Sequence, residues 1–127
     1  MKVKCIRNER LKKEGSYQAL TIGKEYIVLS IEFYDNSEST FSNSLGDFVA
    51  YRFKDNDGIV IPYPAKLFEI VSQKMPSIWI MHQGKGNTYS VLPKTWARSG
   101  FWEDFYNDDD SAIKDFEKAE REIILEE

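Results

Sequence analysis

From Ile27 the chain alternates two kinds of position. Ile27, Leu29, Ile31 and Phe33 are large and apolar, while the interleaved Tyr26, Ser30, Glu32 and Tyr34 tolerate water; Val28 is the exception. Period-two alternation rich in β-branched and aromatic residues predicts a half-buried strand. Val49, Tyr51 and Phe53 repeat the pattern after a polar interval, and Ile59, Ile61 and Tyr63 repeat it once more. Between those two runs, Asp55-Asn56-Asp57-Gly58 predicts a tight turn, because Asn and Gly accept positive φ at low cost. Pro62 and Pro64 lack the amide donor that a ladder needs, so this third strand is expected at a sheet edge or to stop early. Ala65 to Phe68 predicts a short helical turn and Glu69 to Ser72 a closing strand. Earlier in the chain, Val3 to Ile6 predicts a first strand, and Arg7 to Tyr17, polar with Gly15 and Ser16, a loop. Asp35 to Gly46 is rich in Ser and Asn and reads as a long connection with Phe41 and Leu45 as its only tethers.

Gln73 to Pro76 reads as a seam. Beyond it, Ile78 to Gln83 predicts a strand, Gly84 to Asn87 a turn, and Thr88 to Leu92 a return strand. This second hairpin is expected either to extend the first sheet or to cap its open end. Pro93 suits the first turn of a short helix over Lys94 to Arg98. Ser99 and Gly100 break it, and Phe101 to Tyr106 predicts another short helical turn. Asn107 to Ser111 then offers a run of N-cap candidates, whose acids suit the positive end of a helix dipole. From Ala112, the apolar Ile113, Phe116, Ala119, Ile123 and Ile124 recur at spacings of three to four. That predicts an amphipathic helix of about four turns.

The run Leu20 to Val28 (LTIGKEYIV), the Tyr51-Arg52-Phe53 strand, the turn at 55–58 and the segment Tyr63 to Val71 (YPAKLFEIV) together resemble small bacterial and phage SH3-like barrels. The resemblance covers about residues 1–72. It implies a small antiparallel barrel and says little about function, since such barrels host many roles. The expected fold is therefore α+β: an SH3-like β-barrel over 1–72, then a β-hairpin and a C-terminal amphipathic helix over 73–127, packed on the barrel as one compact unit.

Composition narrows the class without naming a job. The 127 residues are 42% hydrophobic, 30% charged and 14% aromatic, as in a soluble globular protein with an unusual share of rings. No segment approaches the roughly 18 consecutive apolar residues of a membrane span, so no membrane partner is expected. A single Cys5 excludes an internal disulfide framework and fits a reducing compartment, with the cytoplasm expected. The formal charge of −4 conceals a gradient: residues 1–14 carry six Lys/Arg against two Glu, whereas residues 99–127 carry eleven acids against three cations. A nucleic-acid binder usually presents a net basic chain, so nucleic acid is the weaker expectation.

Candidate chemistry is sparse. A Ser or Cys nucleophile needs a base within hydrogen-bond reach, and the only His is His82, inside an apolar strand pattern. Cys5 reads as a small core residue. One Cys and one His build no zinc site without carboxylates of unknown geometry. The acidic turns lack the ligand spacing of a calcium loop, and the 84–88 turn lacks the spacing of a phosphate loop. Glu103 and Asp104 are paired carboxylates beside Trp102, but adjacent residues point apart. No enzyme, metal or cofactor is expected. Trp79, Tyr89, Trp96, Phe101, Trp102, Phe105 and Tyr106 crowd together, as either a second small core or an interface.

Two function classes follow. The first is a non-enzymatic protein binder whose acidic, aromatic face, Trp102, Glu103, Asp104, Asp108, Asp109 and Asp110, captures a basic protein. In type it is similar to the immunity proteins that neutralise basic bacterial toxins; no residue is carried over from that group. The alternative is an SH3-like nucleic-acid or regulatory module. There Lys2, Lys4, Arg7, Arg10, Lys12 and Lys13 would meet phosphates and Tyr26, Tyr34 or Tyr51 would stack on bases. Oligomeric state is left open.

Overall fold

The computed structural model describes residues 1–34 and 45–127. Of the expected connection over Asp35 to Gly46, residues 35–44, Phe41 among them, lie outside the described residues. Strand β1 (Lys2–Cys5) is followed, after a loop closed by Arg10 N–H to the Gly15 carbonyl at 2.9 Å, by β2 (Glu25–Ile27) and β3 (Ser30–Phe33). The alternating run thus becomes two strands. At the kink Val28 N–H donates to the Met1 carbonyl at 3.0 Å and Leu29 N–H to the Arg52 carbonyl at 2.8 Å. The chain leaves one sheet there and enters another.

Strands β4 (Val49–Lys54) and β5 (Val60–Pro64) form the hairpin expected around 55–58. Its turn is built as the residue types require. Gly58 takes φ 74°, and the buried Asp55 carboxylate accepts from Asp57 and Ile59 N–H at 2.9 and 3.0 Å. A 3-10 turn (Ala65–Leu67) leads into β6 (Phe68–Ser72). Strands β7 (Trp79–Gln83) and β8 (Tyr89–Pro93) form the second hairpin, and a further 3-10 turn spans Lys94–Trp96. Helices α1 (Phe101–Tyr106) and α2 (Asp110–Glu126) complete the chain.

All pairings are antiparallel. One sheet has the order β2-β1-β6 and the other β5-β4-β3-β8-β7. Among the described residues β5 and β6 do not pair, so the strands form two sheets and no closed ring. The Pro-bearing β5 lies at an edge, as its missing donors require. The second hairpin extends the five-stranded sheet through β8 on β3. The fold is α+β with a C-terminal helix, and no described helix is long and apolar enough to cross a membrane.

Two apolar cores lie on the two sides of the five-stranded sheet. Register aligns Ile31, Tyr51, Tyr63 and Val91 in one row, packed with Val3, Cys5, Tyr26 and Phe68 of the smaller sheet side. The other core joins Leu29, Val60 and Leu92 to Trp96, Phe101, Phe116 and Ile123. The two cores together correct the expected polar positions of the alternating run, Tyr26 lying in the first and Ser30 and Glu32 beneath the second. Tyr26, Ser30 and Glu32 are 4%, 1% and 7% exposed, whereas Phe33 is 37% exposed. The helical second half covers the face that Ser30 and Glu32 occupy, and β3 is buried on both sides from Ser30 to Glu32.

Candidate functional site

A charged side chain on a covered face needs a partner, because an unpaired buried charge is costly. Ser30 aligns with Arg52, and Glu32 with Ala50, whose small side chain leaves room. Arg52 Nε donates to Glu32 Oε1, and Tyr34 donates its hydroxyl to Glu32 Oε2. Arg52 Nη1 donates to the Tyr106 hydroxyl at 2.8 Å, and that hydroxyl donates to the Val60 carbonyl. The guanidinium also lies 4.2 Å from the Trp102 ring centroid, a cation–π contact. Burial first, then the Glu32 charge, pushes the Tyr34 hydroxyl far above the ordinary tyrosine range. Burial likewise raises that of Tyr106. The network pins α1 to the sheet over β4 and β5.

Helix α1 turns into α2 through a tight joint. Asp108 N–H donates to the Phe105 carbonyl at 3.1 Å and Asp109 N–H to the Asp104 carbonyl at 3.0 Å. Asp108 adopts φ 59°, a conformation Asp tolerates better than most residues. Asp109 is the N-cap of α2, accepting from Ala112 N–H at 3.0 Å. The joint therefore gathers the six residues expected to bind a partner, but gives them different tasks. Trp102 is half-buried in the ring cluster, 5.6 Å from Trp96 and 5.6 Å from Phe105. Asp104 is half-buried and pairs with Arg98 at 2.9 Å. Asp109 is exposed yet spends its carboxylate on the cap. Glu103, Asp108 and Asp110 are exposed and form no ion pair with a described residue. Tyr106, missing from the expected set, is 47% exposed at the same corner.

The remaining terminal acids are partly consumed by the chain itself. Glu120 meets Lys54 at 2.9 Å, Glu127 meets the Met1 amine at 2.5 Å, and Glu126 accepts from Ser77 N–H at 3.0 Å. No family model, curated protein or solved structure matches this chain.

At the basic end the parts separate. Tyr26 and Tyr51, expected to stack bases, are buried at 4% and 8%, so neither ring offers a free face. Lys2 and Lys4 lie on β1, and Arg7 donates to the Lys66 carbonyl at 3.1 Å. Arg10, Lys12 and Lys13 do converge, with Tyr17, Ile61 and Pro62, on a groove of about 350 Å³, where Arg10 sits 4.6 Å from the Tyr17 ring centroid.

No catalytic constellation emerges among the described residues. Cys5 is fully buried, its thiol donates to the Arg7 carbonyl at 3.2 Å, and burial raises its pKa. His82 aligns with Ser90, and Ser90 with Glu32, but no hydrogen bond joins them and Glu32 is committed to Arg52 and Tyr34. No group of three His, Cys, Asp or Glu side chains could hold a metal among the described residues.

Proposed function

We propose that this chain is a non-enzymatic protein-binding protein whose α1–α2 corner receives a basic protein, in the manner of an immunity protein on a cationic toxin. The single observation that carries the reading is the corner itself. Glu103, Asp108 and Asp110 stay exposed, with no ion pair to a described residue, around one helix joint beside the exposed ring of Tyr106. Unpaired acids on a rigid joint steer a cationic partner, and the ring supplies apolar contact where it docks. We propose further that residues 1–72 are an SH3-like unit in a cytoplasmic protein. The 3-10 turn before β6 and the return of β6 to β1 support that relationship.

The test is capture from a nuclease-treated lysate by the full chain and by Glu103→Gln/Asp108→Asn/Asp110→Asn. These near-isosteric changes leave the Asp109 cap and the Asp104–Arg98 pair in place. A basic protein should be retained by the parent chain, retained less as salt rises, and lost by the triple variant. Equal retention by both chains refutes the reading. The second reading, a nucleic-acid module, is favoured only by the Arg10, Lys12, Lys13 and Tyr17 groove. It predicts that untreated lysate yields nucleic acid, and that Arg10→Gln/Lys12→Gln/Lys13→Gln abolishes this.

A further inference from the structure

Among the described residues strand β7 is an edge of the five-stranded sheet, and its own sequence has none of the devices that keep edges from pairing. Natural edge strands carry charges, prolines or bulges. The opposite edge, β5, contains Pro62 and Pro64. Strand β7 reads Trp79-Ile80-Met81-His82-Gln83, without a charge or a proline, and pairs with β8 in unbroken register. Gly84 N–H donates to the Thr88 carbonyl at 2.8 Å, which fixes the ladder phase. In an antiparallel pair hydrogen-bonded positions alternate. His82 and Ile80 therefore face β8, while the amides and carbonyls of Met81 and Gln83 face outward, unpaired among the described residues. The Met81 side chain beside them is 66% exposed and Tyr89 is 38% exposed.

We propose that β7 pairs with β7 of a second copy of this chain, antiparallel about a two-fold axis through Met81, giving one continuous ten-stranded sheet. In that register each Met81 exchanges two backbone hydrogen bonds with its counterpart, and each Gln83 N–H meets the Trp79 carbonyl opposite. Charge selects this register from its neighbours. Lys85, exposed in the β7–β8 turn, then lies just beyond the Trp79 end of the facing β7, where the turn at Ser77 leads into that strand. Ser77 holds the Glu126 carboxylate through its N–H at 3.0 Å and its hydroxyl at 2.9 Å. The two-fold axis thus brings Lys85 of each copy to Glu126 of the other. Shifting the axis to Gln83 would set Lys85 against Met81 instead. A two-fold contact of this kind is self-complementary and closed, so it ends at a dimer. Strand β7 lies four strand spacings, about 19 Å, from β5, the strand beneath Tyr106, and the axis lies beyond it, so the acidic corners of both copies remain free.

Sedimentation of the full chain over a dilution series, at low and high salt, tests this. A monomer–dimer equilibrium is expected, with salt shifting it toward monomer. Met81→Pro deletes an outward amide that β8 does not use, and Met81→Lys places two ammonium groups across the axis. Both variants should be monomeric, with the circular dichroism of the parent chain. Lys85→Glu and Glu126→Lys should each weaken the dimer about tenfold, as two rim ion pairs are lost, and the double reversal should restore it. A chain monomeric at every concentration overturns the proposal. So does a dimer that survives Met81→Lys, or a double reversal that fails to restore association.

Discussion

Replacing Arg52 with Met removes the cation at the centre of the helix-covered face while keeping an unbranched stem in place. Glu32 and Arg52 are 7% and 9% exposed, so the pair cannot fall back on water. The variant leaves Glu32 buried with the Tyr34 hydroxyl as its one side-chain donor among the described residues, strips the Tyr106 hydroxyl of its Arg52 donor, and deletes the cation over Trp102. Breaking a buried pair from one side typically costs 3–5 kcal/mol. The remaining Tyr34 donor and the methionine packing offset part of that, so a loss of about 3 kcal/mol is expected. A domain of this kind holds roughly 5–15 kcal/mol in total, so the change is large on that scale. Urea unfolding followed by circular dichroism and tryptophan fluorescence measures it. The double variant Glu32→Gln/Arg52→Met removes both charges together and should lose about 2 kcal/mol less than the sum of the two single variants. A single-variant loss below about 1 kcal/mol would mean that the pair behaves as a surface pair. Additive losses would mean that Glu32 and Arg52 do not meet.

Three further outcomes follow from the same geometry. Asp109→Ala should cost about 1 kcal/mol in urea unfolding by removing the cap on Ala112 N–H, whereas Asp110→Asn should cost a few tenths, since it only relieves a helix dipole of a favourable charge. Tyr34 and Tyr63 are held protonated far above the ordinary range, by burial first and then by Glu32 and Asp55, Tyr63 donating to Asp55 Oδ2 at 2.7 Å. Raised folded values mean that stability is intact below about pH 10 and is lost as pH climbs above it. An absorbance titration should therefore show these two rings ionising only with alkaline unfolding, and reversible ionisation of all seven tyrosines in the folded state would refute it. Trp96→Ala should cost about 3–5 kcal/mol, because its ring is 1% exposed and stacks 4.9 Å from Phe116; a loss under about 1 kcal/mol would mean the second core does not rest on it.

Elements with a local cause were legible in the sequence. The prolines at 62 and 64 forecast an edge, Asp55 to Gly58 a turn, the acids before Ala112 a cap, and the spacing of Phe116, Ala119 and Ile123 a buried helix face. The polar positions of β3 depart from the expectation because alternation reports one covered face and one wet one. Here the wet-looking face receives a helix from seventy residues downstream. Arg52 stands 20 residues from Glu32 and 54 from Tyr106, and no local spacing announces such a set. The charge gradient disclosed that acids gather in the last quarter, but not which are already taken. Asp104 by Arg98, Glu120 by Lys54 and Asp109 by its own helix are pairings that only the folded chain reveals.

The buried pair and the acidic corner are mechanically one feature. A helix of six residues does not stand on its own, since nucleation alone outweighs its few hydrogen bonds. Phe101 anchors its first turn in the second core, and Arg52 holds Trp102 of that turn and Tyr106 of the last. Apolar residues in place of a buried ion pair often leave stability unchanged, but they would offer α1 no directional contact. A guanidinium that must satisfy one carboxylate, one hydroxyl and one ring at once permits a single placement of α1. That placement sets where Glu103 points and where the joint carrying Asp108 and Asp110 begins. If the corner recognises a partner, the charge hidden beneath it is what holds the visible charges in register.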